Sequence, residues 1–65
     1  MNGKQLAIYR YKKGVYAKDV AEIMGISKSA ISAMERMGRA NITEVKEKEY
    51  ITAVDAVWER NQRGE

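Results

Sequence analysis

This chain reads as an all-α domain of four helices, the last of them long. Apolar residues recur at three- and four-residue intervals, the spacing of a helix stripe turned toward a core. Polar capping residues stand before the periodic stretches, and glycines close two of them. The 65 residues include five Gly and no Pro, so no proline breaks a helix.

The first helix is expected to start near Asn2, because Asn2 and Gln5 stand at capping-box spacing. Leu6 and Tyr9 share its inner face, Gly14 stops it, and Val15 plugs the core from the connection. The second helix is expected over residues 17–24, with Val20, Ala21 and Met24 inward. Asp19 lies in its first turn, where the helix dipole favours a carboxylate. Gly25 ends it, Ile26 is buried in the turn, and Ser27 caps the third helix. That helix is expected over residues 28–36, with Ile31 and Met34 inward and Lys28, Ser29, Ser32 and Ala33 outward. Residues 37–40 form a loop. Asn41 or Thr43 caps the last helix, expected over residues 43–61, with residues 62–65 frayed.

Residues 17–36 carry the most information. Ala21, Gly25 and Ile31 stand at the spacing of a helix-turn-helix. Two short helices that meet at a steep angle leave room for only a small side chain at the crossing, which Ala21 supplies. The sharp turn needs a residue that tolerates positive φ, which Gly25 does. Ile31 then pins the second motif helix onto the first.

Composition narrows the function. The size is that of one domain over residues 1–65, and a chain this short buries only about 60% of its unfolded surface. There is no Cys, hence no disulfide framework or thiolate metal site. There is no His, the commonest general base. No carboxylate pair flanks an expected cleft, so an enzyme is not expected, nor is a metal or other cofactor. No apolar run approaches the roughly 20 residues of a bilayer span, and the first residues lack the apolar core of a signal peptide, which points to the cytoplasm. Charge is unevenly spread. Residues 1–40 hold eight Lys and Arg against three acids, a net of +5 (8 − 3), and residues 41–65 hold four against six, a net of −2 (4 − 6). A basic front half suits a polyanion, with a different task for the acidic tail.

Residues 5–39 resemble the Cro/repressor-type helix-turn-helix regulators of phage and bacteria, a lambda-repressor-like fold. The resemblance rests on Gly14-Val15 ahead of Tyr16-Ala17-Lys18-Asp19-Val20-Ala21, and on Gly25-Ile26-Ser27-Lys28-Ser29-Ala30-Ile31-Ser32. Glu35 stands where the family closes its third helix with a glutamate, and Arg10 matches the first-helix arginine often paired with it. The resemblance implies double-stranded DNA as the partner and a homodimer reading successive major grooves. The chain departs from the pattern at Ala17, where the family often has a phosphate-binding glutamine, and in its one long last helix where two short ones are usual.

On this reading Lys28, Ser29, Ser32 and Ala33 face base edges: lysine reaches guanine O6 and N7, and an alanine meets only a thymine methyl. Ser32 is equally able to bond the carbonyl one turn back. Tyr16, Ala17 and Lys18 open the helix that crosses the DNA backbone, where free backbone N–H groups make a phosphate site. Arg36 and Arg39 are placed for phosphates or a narrow minor groove. Arg10 and Glu35 are expected to form a structural ion pair. The last helix carries an apolar arc through Tyr50, Ile51, Ala53, Val54, Val57 and Trp58. It is wider than the roughly 100° that a core-facing stripe needs. Tyr50, Ile51, Val54 and Trp58 are therefore candidates for contact with a second chain, the surplus including Ile51 and Trp58, unless the whole arc closes the core. A second function stays open beside DNA binding. Short side chains on the third helix, Ala17 and the apolar arc also suit a co-regulator that docks a partner repressor or toxin protein.

Overall fold

A computed structural model describes residues 2–36 and 42–64, and shows four helices and no strand among them. They are α1 (Gly3–Lys12), α2 (Ala17–Met24), α3 (Lys28–Arg36) and α4 (Glu44–Gln62). The expected loop over 37–40 and the alternative cap Asn41 lie outside the described residues.

Local chemistry accounts for most of the boundaries. Asn2 Oδ1 accepts from the Gln5 N–H, and the Gln5 side chain accepts from the Asn2 N–H, both at 2.9 Å. That reciprocal box satisfies two donors that the helix start leaves open. At the other end of α1 the Gly14 N–H donates to Tyr11 and the Val15 N–H to Arg10, at 3.0 and 3.2 Å. This is a Schellman closure, and it turns Val15 inward, where it is 2% exposed. The same pair of bonds ends α2, from Gly25 to Glu22 and from Ile26 to Ala21. Gly25 sits at φ 71°, a region closed to most side chains. Ser27 Oγ accepts from the Ala30 N–H at 3.1 Å, and Thr43 Oγ1 from the Lys46 N–H at 3.3 Å. Thr43 therefore caps α4, which starts and ends one residue later than its periodicity suggests.

The core is one cluster: Leu6, Val15, Val20, Ala21 and Ile31 from the first three helices and their connection, and Tyr50, Ala53, Val54 and Val57 from α4. α3 packs on α1 and α2, and α4 packs on α2 and α1. Tyr9, Met24, Ile26 and Met34 are half-buried at its margin. Tyr9 and Ile26 were expected deeper. Tyr9 stays at the rim because its hydroxyl donates to Asp55 of α4. Tyr50 and Val54 are fully buried, which corrects their assignment to a second-chain contact. α4 needs both to close the core over α1 and α2, so the surplus in its arc is narrower than its angular width implies.

Gly3 is a position that periodicity does not single out. It is buried, and a β-carbon there would run into the Met34 carbonyl oxygen, with the Glu35 backbone close behind. The start of α1 thus lies directly against the last turn of α3. Among the described residues no helix is long and apolar enough to cross a membrane.

Two substitutions separate these roles. Gly25→Ala meets no steric obstacle but forces a left-handed φ on a residue with a β-carbon, and is expected to lower stability by about 1–2 kcal/mol. Gly3→Ala keeps its φ and instead pushes α1 off α3, at about 1–3 kcal/mol. Urea midpoints at constant slope measure both.

Candidate functional site

The outer face of α3 follows from what its inner face must do. Ile31 is fully buried, and Ala30, Met34 and Glu35 are half-buried toward the neighbouring helices. At 100° per residue this leaves Lys28, Ser29, Ala33 and Arg36 exposed on the opposite side, with Ser32 half-buried between Lys28 and Arg36. Ser32 thus faces solvent less fully than the sequence suggests. Its carbonyl accepts a 3.4 Å bond from Arg36 Nε, which folds the guanidinium back along the helix.

Next to this face the start of α2 forms an open groove lined by Arg10, Tyr16, Ala17, Lys18 and Lys28. Tyr16 is the N-cap of α2, yet its side chain makes no capping bond and is 74% exposed. The first-turn N–H groups of a helix have no partner within the helix, and no side chain caps them here. Lys18 and Lys28 are exposed beside them. The groove therefore joins a positive helix end to two ammonium groups, an environment suited to an anion. Asp19, in the same turn, is partly neutralised by Arg60 of α4 at 3.7 Å. Glu22 is the exposed acid further along α2.

Of the nine residues that the sequence nominates for nucleic-acid contact, the groove unites Tyr16, Ala17, Lys18 and Lys28. Ser29, Ser32, Ala33 and Arg36 continue along α3, and Arg39 lies outside the described residues. Lys13 turns away from this face, toward α4. Its ammonium sits 4.6 Å from the centre of the Trp58 ring and 3.9 Å from the Asp55 carboxylate. Trp58 is 38% exposed, and Ile51 is half-buried against the core.

What holds α3 in place is a polar cluster centred on Arg10. The Arg10 side chain donates to Glu35 twice, from Nε at 2.8 Å and from a terminal nitrogen at 3.0 Å. Its other terminal nitrogen donates to the Val15 carbonyl at 2.9 Å. The Tyr50 hydroxyl of α4 donates to the same Glu35 carboxylate. Sequence reasoning pairs Arg10 with Glu35 and misses Tyr50. The available signal is chemical: a tyrosine inside an apolar arc must find a partner for its hydroxyl once buried.

The protonation states follow from this geometry. Burial alone pushes the Glu35 carboxyl up, but the hydrogen bonds from Arg10 and Tyr50 and the Arg10 charge outweigh it, and the group titrates below its ordinary value. Burial, then the bond to Glu35 and its charge, hold the Tyr50 hydroxyl above its ordinary value. The bond to Glu35 raises Arg10 further, against the opposing effect of burial.

Comparison with known proteins finds no matching family model, no similar curated protein and no similar solved structure.

Removing one side of the cluster strands the other. Glu35→Ala leaves a guanidinium 6% exposed without its counter-charge, a loss of about 3–5 kcal/mol. A domain of this size has only a few kcal/mol to lose, so circular dichroism is expected to show it largely unfolded. Tyr50→Phe is expected to cost about 1.5–3 kcal/mol, the range for a bond to a charged group. The pH dependence has two limbs. Glu35 contributes stability above its unfolded value near 4.5, and that contribution is lost as pH falls through its lower native value. Tyr50 contributes below its unfolded value near 10.0, and that contribution is lost as pH rises through its higher native value. Urea midpoints across pH are expected to show a shallower alkaline limb in Tyr50→Phe. Tyr9, which its bond to Asp55 also raises, contributes to the limb that remains.

Proposed function

We propose that this protein is a small sequence-specific DNA-binding regulator of the Cro/repressor helix-turn-helix type, acting in the cytoplasm. The observation that carries the reading is the groove that brings Tyr16, Ala17, Lys18 and Lys28 together beside the exposed face of α3. A backbone phosphate seated there receives the open N–H groups of α2 and the charge of Lys18. With α2 anchored in this way, α3 is the helix that enters the major groove. Lys28 at its start is the long side chain able to reach a guanine edge, while Ser29 and Ser32 bond at shorter range and Ala33 meets a thymine methyl. Arg36, and Arg39 beyond it, add phosphate contacts. Occupying an operator in this manner excludes polymerase or a competing regulator.

A second reading draws on the shortness of the α3 face. Apart from Lys28 and Arg36 its exposed side chains are Ser29 and Ala33, which carry little base information. The same face then docks a partner protein, a repressor or a toxin.

Binding to duplexes from the flanks of the gene, measured at several salt concentrations, separates the two. DNA binding predicts a linear fall of log affinity with log salt. Lys18→Ala is expected to reduce that slope by about one at every sequence, as for a lost phosphate contact. Lys28→Ala is expected to weaken the preferred duplex by about 1–3 kcal/mol and to relax its sequence preference. No binding above background at low salt, together with a stoichiometric protein partner from the host, selects the second reading.

A further inference from the structure

Val45 is the most exposed aliphatic side chain among the large apolar residues of the described chain, at 66%. It stands on the first part of α4, away from the Trp58 end where the apolar arc is widest. Across an open groove from it lies Ile23 of α2, 46% exposed, and Met24 and Ala53 line the groove between them. Two aliphatic side chains facing water across one groove lose favourable burial that a partner would restore.

The residues on this side of α4 have an order that selects the partner. Val45, Lys48, Glu49 and Thr52 line the groove, at the i, i+3, i+4, i+7 spacing of a single helix stripe. Two copies of that stripe laid antiparallel about a two-fold axis between Lys48 and Glu49 match themselves. Lys48 of each copy falls opposite Glu49 of the other, and Val45 opposite Thr52. An isologous interface requires this self-complementarity, whereas a partner carrying charge of one sign would repel either Lys48 or Glu49. The charge of Glu49 is available: its neighbour within the chain is Lys46 at 3.7 Å, and both side chains are about half exposed, a pair easily exchanged.

We infer that the α2–α4 groove is the interface through which two copies of this chain associate, in an antiparallel α4 pairing centred between Lys48 and Glu49. Val45 of each copy packs near Ile23 and the groove of the other, and two crossed Lys48–Glu49 pairs set the register. The interface involves neither the outer face of α3 nor the groove at the start of α2, so it stands independently of the DNA reading.

Sedimentation equilibrium of the full chain without DNA, over a concentration series reaching the millimolar range, tests it. A reversible monomer–dimer equilibrium is expected. Val45→Glu is expected to abolish it, with an unchanged helical signal because the side chain is exposed. Lys48→Glu and Glu49→Lys each place like charges opposite one another and are expected to raise the dissociation constant by about tenfold. The double variant K48E/E49K restores the pairs with reversed sign and is expected to recover most of the affinity. A chain that stays monomeric throughout overturns the inference, as does a dimer insensitive to Val45→Glu. Single reversals that the double variant fails to rescue overturn it too. A failure to bind DNA moves none of these readouts.

Discussion

The Arg10 guanidinium is the point on which the arrangement of helices depends. It is nearly buried, so its charge persists only because every direction of its donor fork is answered: Glu35 from α3 and the Val15 carbonyl from the connection after α1. Tyr50 extends the cluster to α4 through the same carboxylate. One side chain thereby ties three helices and a loop to a common position. Apolar packing alone is non-directional and tolerates sliding. A forked donor with fixed geometry does not, and it sets the rotation of α3 about its axis.

That rotation decides what α3 can present. With Glu35 drawn toward Arg10 and Ile31 into the core, Lys28, Ser29, Ala33 and Arg36 have only solvent to face. The start of α2 is positioned by the same device at one remove. The Val15 carbonyl that Arg10 holds lies two residues before Ala17, so the open end of α2 is fixed relative to α3. The groove that joins Tyr16, Lys18 and Lys28 is thus a consequence of the clamp, and its polarity comes from an uncapped helix start. Gly3 completes the arrangement by letting α1 approach the last turn of α3 at backbone distance.

The two halves of the chain divide their charge along the same lines. Lys18 of α2 and Lys28 of α3 line the groove, while α4 spends its acids differently. Asp55 binds Tyr9 and Lys13, and Glu49 sits on the exposed stripe beside Val45. The apolar surplus of α4 also moves. Its Trp58 end is covered in part by Lys13, and its exposed aliphatic lies near the helix start.

Helix positions and boundaries were legible in the sequence because they rest on local chemistry. The Asn2–Gln5 box, the two glycine closures, and the Ser27 and Thr43 caps each act within a few residues and can be read from neighbours along the chain. The Arg10–Glu35 pair was legible through resemblance, and the inward positions through periodicity. What spacing could not reveal were contacts between residues remote in sequence that come together only after packing: Tyr50 on Glu35, Gly3 against Met34, Lys13 over Trp58, and Ile23 across from Val45. An angular arc on a helix states how much of its surface is apolar, but not how wide a surface its neighbours will cover. That is decided when four helices settle around one core, and it is why Tyr50 and Val54 went inside while Val45 stayed out.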